Sequence, residues 1–133
     1  MTMWSGLDRR RFPRVYYPCL VTIRNMGVDA DIFLTHTENI GVGGVCLTLK
    51  KNVKIFSKVT LEVDLLDTEE HVKCEGKVVW SVRRSSEDKK KPLFYDVGVE
   101  FADLNEKDEQ RLTTIVHRLI KHGQKVPENH SQQ

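Results

Sequence analysis

The sequence predicts an all-β fold with a C-terminal helix, in which six short strands close into an antiparallel barrel. Six stretches between residues 15 and 101 alternate apolar and polar side chains, and polar or glycine-containing turns separate them without an intervening helical pattern. After Asn105 the apolar period changes to that of one amphipathic helix. With 133 residues, 39% of them hydrophobic, the chain has the size and core content of a single domain.

The first two predicted strands cover residues 15–25 and about 30–37. In the first, Cys19, Val21 and Ile23 share one face, and the turn-forming residues that begin at Asn25 end the strand. The third strand follows the glycine-rich turn at residues 39–44, and its apolar positions are Val45, Leu47 and Leu49. No helix follows these glycines, so they fit neither a dinucleotide-binding fingerprint nor a P-loop, both of which hold phosphate at a helix N-terminus.

The last three predicted strands have clear core faces. The first of them places Val59, Leu61, Val63 and Leu65 on one side. Gly76 indicates a bend or bulge in the long strand that follows, because a strand glycine often marks one. The core face of that strand comprises Val72, Cys74, Val78, Trp80 and Val82. The core face of the final strand comprises Tyr95, Val97, Val99 and Phe101.

The predicted helix begins after Asn105, a suitable N-cap, and ends before Gly123, a suitable C′ residue. Its apolar stripe comprises Leu112, Ile115, Val116, Leu119 and Ile120. The sequence therefore divides into a flexible basic arm (1–13), an antiparallel barrel (14–104), a helix packed on the barrel (105–123) and a disordered tail (124–133).

Composition and charge exclude several classes of function. Lys and Arg number 21 against 19 Asp and Glu, so any anion site must be local. The chain has neither a run of about 18 apolar residues nor a secretory signal, which predicts a cytoplasmic protein without membrane insertion. Its cysteines and histidines lack metal-ligand spacing, so no metal is expected. No serine or cysteine lies in a recognisable catalytic motif, which predicts a binding protein and not an enzyme.

Two stretches contain residues that a barrel core does not require. The N-terminal arm carries Arg9, Arg10, Arg11 and Arg14, and the turn at residues 39–44 reads NIGVGG. Guanidinium groups offer paired donors to phosphate oxygens and to the O6/N7 edge of guanine. Glycines let main-chain amides approach a ligand, and an asparagine side chain both donates and accepts. Together the two stretches predict a site for an anionic ligand that contains guanine.

In these two stretches the sequence resembles the PilZ domain family, which is characterised by an RxxxR element followed by a [DN]xSxxG element. The segment from Arg10 to Arg14 reads RRFPR, and Arg9 extends it to the RRxxxR form. NIGVGG matches the second element at Asn39 and Gly44, whereas Gly41 stands in place of the serine. VGVEF, near the end of the predicted barrel, is similar to the last barrel strand of the family. The resemblance spans residues 8–122.

The resemblance implies a PilZ-like split barrel that binds the second messenger cyclic di-GMP. It implies that Arg10 and Arg14 engage guanine edges and phosphates, that Arg9 helps to hold a second, stacked ligand, and that Asn39 and Gly44 line the opposite wall. Unless a water or the main-chain N–H of Gly41 replaces it, the missing serine hydroxyl typically costs about 0.5–1.5 kcal/mol, or up to roughly tenfold in affinity. We therefore expect weakened binding.

The function predicted on this basis is a receptor whose arginine arm orders over the barrel when ligand binds and which signals to an unidentified partner protein. Two alternatives remain open. One is a ligand-independent interaction adaptor with a degenerate site. The other, less favoured, is a nucleic-acid binder that uses the arm and Lys89, Lys90 and Lys91, although the near-neutral charge leaves no long basic face.

Overall fold

The computed structural model describes residues 13–25, 32–84 and 93–127. Within these ranges seven strands precede one helix. The elements are β1 (Arg14–Val15), β2 (Leu20–Asn25), β3 (Ile32–Gly41), β4 (Gly44–Leu49), β5 (Lys58–Asp64), β6 (Val72–Arg84), β7 (Phe94–Phe101) and α1 (Glu106–Lys121).

The described strands form one closed antiparallel sheet. The strand order is β1-β3-β2-β5-β6-β7-β4, and an additional β3–β4 pairing closes strands β2 to β7 into a six-stranded barrel. The predicted barrel is therefore confirmed. The short strand β1 is extra to it and pairs with the end of β3.

Alternating apolar residues build the barrel interior, as the sequence pattern predicted. Cys19, Val21 and Ile23 are buried, as are the apolar positions of β4, β5 and the centre of β7. Tyr95 and Phe101 are partly buried and pack against this core. Burial of this apolar surface is the main favourable contribution to the fold.

Two local features of the strands differ from the sequence-based prediction. Strand β3 extends to Gly41, so the first half of the predicted glycine-rich turn is paired strand. In β6 the irregularity lies between Val78 and Trp80 and not at Gly76. Gly76 instead makes room inside the barrel, because a Cβ there would lie 2.7 Å from Cγ1 of Val99. A bulge shifts the side-chain alternation, and Val82 is accordingly 56% exposed.

Helix α1 begins as predicted. The side-chain oxygen of Asn105 accepts a hydrogen bond from the amide of Asp108 at 2.8 Å, and Gly123 follows the helix with φ of +80°. Leu112, Ile115 and Val116 are buried against the barrel. In the described part of the chain, no helix combines the length and apolar character that crossing a bilayer demands.

The residues that follow α1 pair with β1, although the sequence placed them in a disordered tail. The amide of Tyr16 donates to the carbonyl of Gln124, and the amide of Val126 donates to the carbonyl of Arg14, both at 2.9 Å. Val15 and Lys125 form an antiparallel bridge. Strand β1 thus lies between β3 and residues 124–126, and the predicted tail boundary at 124 is wrong.

Candidate functional site

The two sequence motifs meet where β1 pairs with β3. Arg14, the last arginine of RxxxR, lies opposite Gly41, the third position of NIGVGG. The next pair, Val15 and Ile40, is fully buried in the core. Because core packing fixes Val15, it also fixes the backbone of the arginine beside it.

Next to this pairing, a row of four residues crosses the outer face of the barrel. Asn39 pairs with Cys46, Cys46 with Gly98, and Gly98 with Trp80. Paired residues of antiparallel strands project to the same side of the sheet. This side is the outer one, because the residues that flank the row along β4 and β7 belong to the core: Val45, Leu47, Val97 and Val99. We call Asn39, Cys46, Gly98 and Trp80 the outer row.

Asn39 presents an unsatisfied hydrogen-bond acceptor at one end of the outer row. Its Oδ1 is buried and accepts no hydrogen bond within the part of the chain that the structure describes. The register of the β3–β4 pairing shifts between Thr37 and Asn39, which alters how the residues around it face the neighbouring strand. A buried acceptor without a partner costs about 1–3 kcal/mol. A ligand N–H group that reached this atom would recover that cost.

The charged side chains around Cys46 act on its thiol in opposite directions. Burial raises the pKa of the Cys46 thiol to about 12, and the carboxylates of Glu38 and Asp96 act in the same direction. The positive charge of Arg14 opposes them by lowering the pKa. Cys46 is therefore a neutral thiol that forms the floor of the site, flanked by one cationic side chain and two acidic ones.

A polar network centred on Arg84 holds the two acidic side chains. Its guanidinium lies 2.5 Å from Oε1 of Glu38 and 2.9 Å from Oδ2 of Asp96. The hydroxyl oxygen of Thr48 lies 2.6 Å from Oε1 of Glu38 and 3.0 Å from Oδ1 of Asp96. The network links β3, β4, β6 and β7. It also balances negative charge that would otherwise repel an anion at the outer row.

The last glycine of the motif is required by close packing. A Cβ at Gly44 would overlap the carbonyl oxygen of Val99 in β7. Beside it, the carbonyl of Gly43 accepts a hydrogen bond from the amide of Phe101 at 2.9 Å. The turn between β3 and β4 therefore lies directly against β7 and is held there by main-chain contacts.

Trp80 is the residue of this surface that the sequence analysis assigned to the wrong face. The bulge after Val78 turns Trp80 to the outer side of β6. There its indole ring occupies the space that a Cβ of Gly98 would fill. The side chain is half-buried. The signal available in the sequence was the pair of adjacent apolar residues Val78 and Val79, which interrupts strict alternation before the tryptophan.

The structure brings together four of the six predicted site residues. Arg14, Asn39, Gly41 and Gly44 lie on β1, on the end of β3 and on the start of β4. Arg9 and Arg10 lie outside the described residues, as does Arg11. Across residues 13–25, 32–84 and 93–127, no three His, Cys, Asp or Glu side chains cluster as a metal site requires.

Comparison with known proteins agrees with this architecture. A family model described as the PilZ domain matches residues 8–118. The fold is similar to the "PilZ domain with c-di-GMP of YcgR from Escherichia coli", with a TM-score of 0.64 and 15% identity over 86% of this chain and 94% of that one. It is also similar to the Bacillus subtilis inhibitor of motility MotI/DgrA, with a TM-score of 0.64 and 19% identity over 86% of this chain and 51% of that one.

A third solved structure, the "K. pneumonia MrkH-c-di-GMP complex", has a TM-score of 0.63 and 18% identity over 86% of this chain and 54% of that one. The chain therefore spans about half the length of MotI/DgrA and of MrkH. No curated protein shows significant sequence similarity to the chain.

Proposed function

Because the chain belongs to the PilZ domain family, whose model covers residues 8–118, we propose that it is a receptor for cyclic di-GMP. One observation carries the proposal. Arg14 lies opposite Gly41, beside a buried Asn39 oxygen that accepts no hydrogen bond within the described ranges. Two of the similar solved structures contain the same ligand.

The chemistry of the outer row suits the parts of this ligand. Cyclic di-GMP has two phosphodiester groups and two guanines. The Arg14 guanidinium would pair with a phosphate or with the O6/N7 edge of a guanine. Oδ1 of Asn39 would accept from the N–H groups of the guanine Watson–Crick edge. The indole of Trp80, which packs over Gly98 and is half-buried, offers an aromatic face on which a guanine would stack.

Arg9 and Arg10 complete the proposed site. We assign Arg10 to guanine and phosphate contacts and Arg9 to a second, stacked ligand molecule. When ligand binds, these residues order over the barrel face next to Arg14, and a partner protein reads the new surface. Amide exchange that leaves residues 1–12 equally unprotected with and without saturating ligand would contradict the ordering step.

Calorimetric titration with cyclic di-GMP, GTP and a short DNA duplex tests the proposal. We expect heat with cyclic di-GMP alone, and its loss in the double variant Arg10→Ala with Arg14→Ala. The matched control is Arg24→Ala with Arg83→Ala, which removes two exposed arginines from β2 and β6 and should retain binding. Salt-sensitive heat with the duplex would favour a nucleic-acid binder. No heat with any of the three ligands would overturn the receptor proposal and favour an interaction adaptor.

A further inference from the structure

Strand β1 is held along both of its edges. On one side it pairs with Ile40 and Gly41 of β3. On the other side it pairs with residues 124–126. A strand of two residues has little pairing energy of its own, so its position depends on how closely both neighbours approach it.

Gly41 allows one of these approaches because it has no side chain. A Cβ at this position would lie 2.7 Å from the carbonyl oxygen of Pro13, 3.1 Å from Cγ of Arg14 and 3.5 Å from Cα of Arg14. The shortest contact is with a main-chain atom, so rotation of a side chain would not relieve it. Gly41 does not adopt the left-handed backbone conformation that favours glycine. The glycine is therefore needed for space and not for its backbone dihedral angles.

We infer that Gly41 is a positioning residue for Arg14: its missing side chain lets Pro13 and Arg14 lie directly against β3, which sets the arginine over the outer row. The inference rests on the proposed function and deepens it. By comparison with the family motif, Gly41 stands in place of a serine, and the site lacks the hydrogen bond of the serine hydroxyl. The packing gives a different account, in which the glycine exchanges that hydroxyl for a closer approach of the arginine strand.

The two accounts predict opposite effects of a serine at this position. If the hydroxyl is what the site lacks, serine restores it and tightens ligand binding. If close approach matters, both alanine and serine push β1 away from β3, because each carries a Cβ. The effect of alanine separates the two, since alanine adds the Cβ without the hydroxyl.

The experiment compares Gly41→Ala and Gly41→Ser with wild type by amide exchange in the free protein and by calorimetry with cyclic di-GMP. We expect faster exchange at the amides of Tyr16 and Val126, which bridge β1 and residues 124–126. We expect affinity about tenfold weaker in both variants, as overpacking of this kind implies. The matched control is Gly76→Ala, whose Cβ would also meet a neighbour at 2.7 Å, but inside the barrel; both readouts should stay near those of wild type.

Each outcome decides one question. Tighter binding by Gly41→Ser with unchanged exchange would overturn the inference in favour of the missing hydroxyl. Unchanged exchange and affinity in both variants would also overturn it. If wild type fails to bind cyclic di-GMP while both variants still lose protection at Tyr16 and Val126, the proposed function fails and the positioning of β1 by Gly41 stands.

Discussion

The guanidinium of Arg84 lies 2.5 Å from Oε1 of Glu38, the residue that immediately precedes Asn39. Arg84 also lies 2.9 Å from Oδ2 of Asp96. One exposed arginine on β6 therefore holds two carboxylates beside the proposed ligand site, and one of them is next to the residue with the unsatisfied acceptor. This connection makes Arg84 relevant to ligand binding although it lies outside both sequence motifs.

Replacing Arg84 with glutamine should weaken cyclic di-GMP binding about threefold. The protein should lose little stability, because the ion pairs of Arg84 with Glu38 and Asp96 are partly exposed to solvent. The substitution leaves Glu38 and Asp96 without their positive partner, and they would then repel the ligand phosphates. The defect should shrink at high salt, which screens that repulsion. Calorimetry at two salt concentrations measures it. The neighbouring variant Arg83→Gln is the control, and an equal, salt-sensitive defect there would contradict the specific role of Arg84.

Replacing Asn39 with alanine should separate stability from binding. Removal of a buried oxygen that accepts no hydrogen bond from the described residues should leave the free energy of unfolding unchanged or raise it by up to about 1 kcal/mol. The same change should lower ligand affinity about tenfold or more, because the proposed acceptor is lost. Urea unfolding without ligand and calorimetry with ligand give the two quantities.

Asn105→Ala provides the opposite pattern as a control for Asn39→Ala. It removes the N-cap hydrogen bond of α1 and should cost about 1 kcal/mol of stability without changing ligand affinity. If Asn39→Ala were as destabilising as Asn105→Ala and left affinity unchanged, the acceptor at Asn39 would have a structural role only.

Trp80 should report ligand binding directly. If a guanine stacks on the indole, ligand should quench Trp80 fluorescence in a variant that carries Trp4→Phe, in which Trp80 is the only tryptophan. Trp80→Leu should weaken binding about tenfold, within the range of about 1–3 kcal/mol for a base stacked on an aromatic side chain. Quenching without any loss of affinity in Trp80→Leu would mean that the ring lies near the ligand without supporting it.

The ion pair between Arg111 and Asp67 should make stability depend on pH. Desolvation acts to raise the pKa of Asp67, but hydrogen bonds from Arg111 and from the amide of Glu69, together with the arginine charge, outweigh it and lower the pKa. Stabilisation by a carboxylate with a lowered pKa is present above the unfolded value of about 3.9 and is lost as pH falls through the folded value. Arg111→Gln should therefore cost about 1–2 kcal/mol at pH 7.

The difference in the free energy of unfolding between Arg111→Gln and wild type should become smaller as the pH falls below about 4. Urea unfolding at a series of pH values measures this. The control is Arg118→Gln, which removes an exposed arginine from the same helix. Its effect on the free energy of unfolding should be smaller and nearly constant over that pH series. A difference for Arg111→Gln that persists undiminished at the lowest pH would show that lost packing, and not the ion pair with Asp67, causes it.

Local patterns in the sequence were sufficient for the barrel and the helix. The alternation in β5 and the position of Asn105 follow from neighbours within a few residues, so both could be read from the chain alone. The adjacent Val78 and Val79 indicate that the alternation is interrupted, but the bulge that turns Trp80 outward depends on the register of β6 with β7, a strand distant in sequence. The packing role of Gly41 was also hidden, since it depends on contact with Pro13, which is distant in sequence.

The ribbon formed by β3, β1 and residues 124–126 has a consequence for how the protein is made. Its central strand is among the first described residues to leave the ribosome, and one of its partners is among the last. Closing so long a loop is entropically costly, and the contact cannot form before synthesis has passed α1. Arg14 should therefore reach its final position late in biogenesis, so that incomplete chains would lack a finished form of the proposed ligand site.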